Sequence, residues 1–579
     1  MAAPKRTRKD WWMALPGLAL VAICYSALTN DAQVNWLQFA MAVAGVALLA
    51  WGYWLADKGR AEAFRRQRDV ILATLGIMGA AAYCNFGHQH WTNFIHIWDT
   101  YHYYIGAKYF PELGYERLYD CTAVADVEAG FKTQVQARVM TDLRTNVMVS
   151  AAPLVDHPEL CKQYFTTRRW EDFKHDIAFF RSRVGFGKWE QIQKDHGYNA
   201  TPVWNALGSL LANSGPATQS QVDFLCLLDP LFLLATFLMI WWAFGWRVTA
   251  IAALYFGIDI PGRYLWTGGA YLRHDWLFWM VASICLLKKE KYAASGATIA
   301  YSTLLRLFPG LLIAGPLFAF IQRAIKAKKL ERPFIRYVAG GTVTAVLLVL
   351  ISLAASGGPS SWVTFARNTS KHAATPLTNH MGLRTLLSYR PSTIGAVLVR
   401  PGTTDPWALW KQARVEKFDE LKPLFYLLCL GFLALLWFAV EGSGSEPWLG
   451  AALGTVMIAV GSELTCYYYC FFIGLAVAAK RRREVGVLVI LMAAVWLFID
   501  RAPLPWMRGG QDEQYVAMTV AALVAGVAIL WGFTKWGERY ALLPEPKALP
   551  EGVAVAPTPI ATSSNSTKVD RKEKKKRAR

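Results

Sequence analysis

Apolar runs of about 17–25 residues recur along most of this 579-residue chain, each ending in Trp, Tyr, Lys or Arg. No other feature limits the fold as strongly. A run of this length spans the hydrocarbon of a bilayer as a helix, and the helix satisfies its own backbone hydrogen bonds where no water is available. A transmembrane barrel would alternate apolar and polar residues over short segments, and that alternation is missing. The expected class is therefore an all-α polytopic membrane protein. Composition agrees, with 54% hydrophobic and only 18% charged residues.

Basic clusters at 5–9, 58–68, 288–291, 323–336, 480–483 and 568–579 lie between or beside the apolar runs. They account for the net charge of +20 as positive-inside topology and attraction to anionic lipid. No nucleic-acid recognition module accompanies them, so nucleic acid is not an expected partner. Residues 1–10 are basic, and the following run reads as a retained helix rather than a cleavable signal.

Threading from a cytoplasmic N-terminus places spans near 11–29, 34–56, 70–87, 222–244, 249–260, 275–287, 293–308, 309–321, 338–355, 424–440, 449–464, 467–479, 485–499 and 515–533. That makes about fourteen helices with both termini inside. The short spans near 250–260, 293–308 and 467–479 read as broken or re-entrant helices, which occur where backbone is buried or lines a cavity. Four regions follow: two extra N-terminal helices (1–69), a core (70–480) with a long external segment (88–220), C-terminal helices (481–540), and a disordered basic cytoplasmic tail (541–579). Within the external segment, "VEAGFKTQVQARVMTDL" and "CKQYFTTRRWEDFKHDIAFF" suggest short amphipathic helices. Of nine cysteines, Cys121 and Cys161 lie in this segment, where an oxidising compartment would let them pair or leave two free thiols.

The external segment opens with "HIWDTYHYYIGAKYFPELGY", 96–115. Helical spacing would set Asp99, Tyr103 and His102 near one another on a membrane interface. Aromatic residues there also form interfacial belts, so Tyr103, Tyr104 and Trp266 have a structural reading beside the functional one. An Arg within an apolar run, Arg306 in "LLRLFP", is a functional candidate unless it snorkels to the interface. His96, Asp99 and His102 are spaced i, i+3, i+6, which drifts about 60° per step from a common face, so no metal site is expected.

The pattern "WDTYHYYIGAKYFPELGYERLYD" resembles the first external loop of GT-C glycosyltransferases. The nearest resemblance is to the bacterial polyprenol-phosphate-mannose-dependent mannosyltransferases, glycosyltransferase family 87. Further segments are similar to that family in the same order: "ATPVWN" (200–205), "WTGGAYLRHDWLFWM" (266–280), "LLRLFPGLLIAGPL" (304–317), "LTNHMGLRTLL" (377–387) and "SELTCYYYCFFIGLA" (462–476). Two helices precede the one leading to Asp99, and the external segment is long, both departures from the family pattern.

The resemblance implies transfer of mannose or a pentose, with inversion, from a polyprenyl-phosphate donor to a glycan or lipid-linked acceptor. It places the reaction on the external face of a bacterial inner membrane. Asp99 would be the general base. Arg306, Arg263, Arg273, Arg384, His380 and Lys371 would hold the donor phosphate. Tyr103, Tyr104, His102, Trp266 and Glu463 would contact sugar or acceptor. Arg273 could instead pair with Asp275. The expected partners are the donor, the acceptor and membrane lipids, with no cofactor. A secondary transporter or flippase for an anionic or lipid-linked substrate is the competing expectation, although the two halves show no internal repeat.

Overall fold

The computed structural model describes residues 11–91, 93–502, 507 and 510–538. The expected basic N-terminal residues 1–10 and the tail 541–579 lie outside them. The longer helices, in chain order, begin with α1 (Leu15–Ala27), α2 (Asp31–Asp57), α3 (Arg65–Tyr83), α4 (Ile97–Lys108), α5 (Leu118–Glu128), α6 (Thr167–Ser182) and α7 (Pro202–Ala212). They continue with α8 (Leu228–Phe244), α9 (Trp246–Ile258), α10 (Asp275–Lys288), α11 (Tyr292–Leu305), α12 (Ala314–Ala327) and α13 (Arg332–Ala355). The last are α14 (Ala408–Gly442), α15 (Arg483–Arg501) and α16 (Gln511–Phe533). Among the described residues, sheet is confined to two antiparallel ribbons, β1 (Val139–Asp142) with β2 (Val147–Ser150) and β3 (His380–Met381) with β4 (Leu464–Thr465).

Among these residues, six helices are long and apolar enough to cross a membrane: Asp31–Asp57, Gln219–Phe244, Phe308–Ala327, Arg332–Ala355, Ala408–Gly442 and Gln511–Phe533. Shorter apolar helices cover Trp12–Ala27, Trp246–Ile258, Pro447–Gly461 and Cys466–Lys480. Length and composition thus support a helical membrane protein with fewer full-length spans than the threading expects. The difference lies partly in broken segments. Residues 466–480 form 3₁₀ helix, one α-turn and 3₁₀ helix in succession. The expected span at 293–308 ends at Leu305; a 3₁₀ segment, Phe308–Ile313, then leads into α12.

Small residues let the inner helices approach closely. A Cβ on Gly79 of α3 would lie 2.6 Å from the Ala253 carbonyl oxygen and the Leu254 Cα of α9. Where lipid supplies no hydrophobic drive between helices, such contacts hold them by dispersion.

Residues 88–220, the external layer of the threading, pack into a layer of short helices and a hairpin. Caps set its helices: Thr166 Oγ1 accepts from Arg169 N–H at the start of α6, and Thr201 does the same for Trp204 at α7, which opens with Pro202. Trp189, Phe173, Ile177, Phe180 and Tyr119 are fully buried between these helices. The expected helical reading of 127–143 is corrected here: 127–128 end α5 and Lys132–Ala137 is helical, but 139–150 is a hairpin. Asn146, with φ +60°, makes its turn and donates to Thr375 Oγ1 at 3.0 Å. Cys121 and Cys161 form a disulfide, with both side chains fully buried. Closing a loop of 40 residues should stabilise the layer by about 4 kcal/mol on the chain-entropy model. Cys121→Ser with Cys161→Ser is therefore expected to lower the unfolding midpoint clearly in a thermal scan. An unchanged midpoint would show that the bridge adds nothing.

Candidate functional site

The chain leaves α3, turns through 85–91, and starts α4 with His96 as cap: its Nδ1 accepts from Asp99 N–H at 3.2 Å. This fixes the imidazole with its proton on Nε2. Burial, then the neighbouring His90 and Arg273, push the His96 pKa well down, so the cap stays neutral. Asp99 in the first turn has its carboxylate 15% exposed, on the wall of a cavity of about 910 Å³. Oδ1 lies 3.7 Å from Arg273 Nη1, and Oδ2 is buried with no hydrogen-bond partner in the protein.

Arg273 stands beside this acid and Arg306 lies next to Arg273 over the same Tyr103 ring, both arginines buried. Arg273 is held at its backbone, where its N–H donates to Asp229 Oδ1 at 2.9 Å. Its guanidinium lies 4.6 Å from the Tyr467 ring centre, 5.0 Å from Tyr468 and 5.5 Å from Tyr103. Arg306 occupies the extended residue that ends α11 and lies 5.0 Å from the Tyr103 ring. Arg273 Nη2 and Arg306 Nε and Nη2 have no hydrogen-bond partner in the protein. Two buried guanidiniums caged by tyrosines, with N–H groups unspent and the carboxylates of Asp99 and Asp275 nearby, are suited to an anion. Tyr103 is oriented by donating its hydroxyl to Asn199 Oδ1 at 2.6 Å.

Arg263 and Trp266 line the same cavity, 5.7 Å apart, and the Arg263 Nε and Trp266 Nε1 atoms are buried without partners. Trp98, whose Nε1 donates to Asp195 Oδ2 at 2.6 Å, and Lys188 and Lys194 line the cavity too.

Other expected site residues form a second group. Glu463 accepts from Thr385 Oγ1 at 2.9 Å and pairs with Arg384 Nε at 3.3 Å, while His380 Nδ1 lies 3.8 Å away. The β3–β4 pairing, His380 opposite Thr465, brings these together. Arg384 also donates to the Ala373 carbonyl, so this group is largely self-satisfied.

Three expected site residues sit elsewhere. His102 is buried against the 88–220 segment, with Nε2 2.7 Å from Tyr119 Oη. Tyr104 donates to the Gly215 carbonyl beside Lys108, whose Nζ pairs with Asp176 at 2.7 Å. Lys371 donates to the Leu143 carbonyl and ties its helix to the hairpin. None of the three lines the cavity. His274, next in sequence to Arg273, is buried with Nδ1 2.8 Å from Asp229 Oδ2. Arg273 faces Asp99, so the alternative pairing with Asp275 is not the one formed.

Sequence reasoning missed His96, Asn199, Asp229, Tyr467 and Tyr468. The Tyr pair had a signal in the run "CYYYC", whose rings the broken 466–480 segment turns toward Arg273. Among the described residues, no three of His, Cys, Asp and Glu gather as a metal-ligand set.

Burial holds His372 at about 3 and His380 at about 4, the latter despite Glu463. Folding therefore keeps both neutral, whereas the unfolded chain protonates them near 6.5. Their stabilisation is full above about pH 6.5 and falls as pH drops toward 4, by up to about 1.4 kcal/mol per pH unit for each. Thermal midpoints measured over this range should fall, and less steeply in His372→Gln/His380→Gln. Equal slopes would remove these histidines from the account.

No protein-family model, curated protein or solved structure matches this chain.

Proposed function

We propose that the chain is a membrane glycosyltransferase of the GT-C type, moving a sugar from a polyprenyl-phosphate donor to a glycan or lipid-linked acceptor with inversion. The observation that carries this reading is Asp99 on the wall of a 910 Å³ cavity, its Oδ2 unpartnered and its Oδ1 3.7 Å from Arg273, with Arg306 next to Arg273 over the Tyr103 ring and N–H groups unspent on both arginines. The ordered resemblance of segments along 70–480 adds to it. Topology follows the threading, with about fourteen crossings, both termini cytoplasmic and the cavity on the external side of a bacterial inner membrane.

The chemistry asks little more of the protein. Asp99 Oδ2 takes the proton of the acceptor hydroxyl as that oxygen attacks the anomeric carbon. The bond from this carbon to the phosphate oxygen breaks on the opposite face, and polyprenyl phosphate leaves with one more negative charge. Arg273 and Arg306 lie where they could neutralise that charge, preorganised by tyrosine rings rather than by ion pairs. Trp98 and Trp266 supply flat surfaces for sugar rings.

Arg306→Gln keeps a polar group of similar reach and removes the charge. Transfer should fall about 100-fold, and the donor should no longer raise the unfolding midpoint. Unchanged transfer with unchanged donor stabilisation would take Arg306 out of the phosphate site.

A further inference from the structure

We propose a second binding site at the other end of α3 from Asp99, one that takes the phosphate headgroup of an anionic phospholipid. The proposal does not depend on glycosyl transfer. α3 is 19 residues long, so its Arg65 end lies about 28 Å from the Tyr83 end that leads into the candidate active site. There, a cavity of about 440 Å³ opens between α2, α3, the junction of α8 with α9, and the start of α15. Arg65, Arg68, Arg247, Lys480 and Arg483 line it, against two carboxylates, Glu62 and Asp69.

Both carboxylates are already engaged. Arg247 grips Asp69 through two bonds of 2.7 and 2.6 Å, and Arg65 pairs with Glu62 at 2.6 Å. Arg68 donates to the backbone carbonyls of Ala63 and Ala61, which carry no compensating charge. Arg68, Lys480 and Arg483 make no ion pair among the described residues. Five cations thus share one cavity with two carboxylates, and three of the cations have no ion-pair partner of their own, although like charges repel.

The remaining wall is apolar, formed by Leu48, Leu49, Leu72, Val248 and Ile251. Two of the bounding segments, Asp31–Asp57 and Gln219–Phe244, are long and apolar enough to cross a membrane. A phosphate with a hydrocarbon chain attached fits both halves of this wall, whereas a free phosphate would use only the cations. Basic cavities between membrane helices bind anionic headgroups in this way. The geometry thus assigns the 480–483 cluster a specific ligand beyond a general preference for the cytoplasmic side.

The test uses the whole protein in nonionic detergent, with the unfolding midpoint followed against short-chain phosphatidylglycerol, phosphatidylcholine and inorganic phosphate. Phosphatidylglycerol should stabilise the wild type and phosphatidylcholine should not. Lys480→Gln/Arg483→Gln should weaken the apparent affinity for phosphatidylglycerol roughly 30-fold, and Lys480→Arg/Arg483→Lys should preserve it. Equal stabilisation by both lipids, or an unaffected glutamine variant, overturns the proposal. Inorganic phosphate matching phosphatidylglycerol would show the ligand to be a soluble phosphate and overturn the lipid assignment. If the glutamine variant does not fold, native mass spectrometry of the wild type decides: retained anionic phospholipid supports the site, and only zwitterionic lipid overturns it.

Discussion

Asp99→Asn is expected to lower sugar transfer by about 10²–10⁴-fold while leaving donor binding nearly intact. The amide keeps the shape of the carboxylate and its place in the first turn of α4, where His96 holds the backbone N–H of residue 99. It loses the basicity. Oδ2 is the only oxygen of this carboxylate without a partner, and Oδ1 is 3.7 Å from Arg273. Losing the charge also removes the counter-ion of Arg273, so an anionic donor should bind Asp99→Asn at least as tightly as the wild type. A fall in kcat with an unchanged or lower KM is the signature of a lost base. A rise in KM alone would mean that Asp99 only binds.

Asp126→Ala should cost the external layer about 3–5 kcal/mol. Asp126 is fully buried, pairs with Arg138 at 2.8 Å and Arg181 at 2.5 Å, and accepts from Trp189 Nε1 at 2.9 Å. Removing it leaves the Arg138 guanidinium, also fully buried, with no close anion except Glu190 at 3.8 Å. Because Lys188 and Asp195 of this layer line the cavity, activity should fall with folding. Asp126→Leu with Arg138→Met, which removes both charges, should recover most of the stability. Thermal unfolding of the three proteins checks this; equal losses for single and double variants would show that volume, not charge, dominates.

The helical membrane class was legible because its signal is local: apolar runs of the right length need no tertiary information. Asp99 and Arg306 were legible for a similar reason, each being a charge misplaced beside an apolar run. Their neighbours were not. Arg273 meets Asp99 across 174 residues of chain, and Tyr467 comes from a segment that reads as broken or re-entrant without any local trace of where its rings point. His102 was placed near Asp99 by helical spacing and Tyr104 in the sugar site by resemblance, and neither signal can tell which flank of α4 the external layer covers. The hairpin at 139–150 was hidden because four-residue strands carry too few alternations to stand out from a short helix. The paired use of Asp69 by Arg247, 178 residues away, likewise has no local trace, so the basic cavity at that end emerged only from the folded chain.

The most direct measurement reconstitutes the wild type in vesicles with labelled polyprenyl-phosphate sugars, and follows both the fate of the sugar and the configuration at its anomeric carbon. The account predicts that one donor is consumed, with its sugar moved to acceptor or water and the configuration inverted. A donor carried intact across the vesicle membrane, with its phosphate bond unbroken, would contradict it and make the chain a transporter.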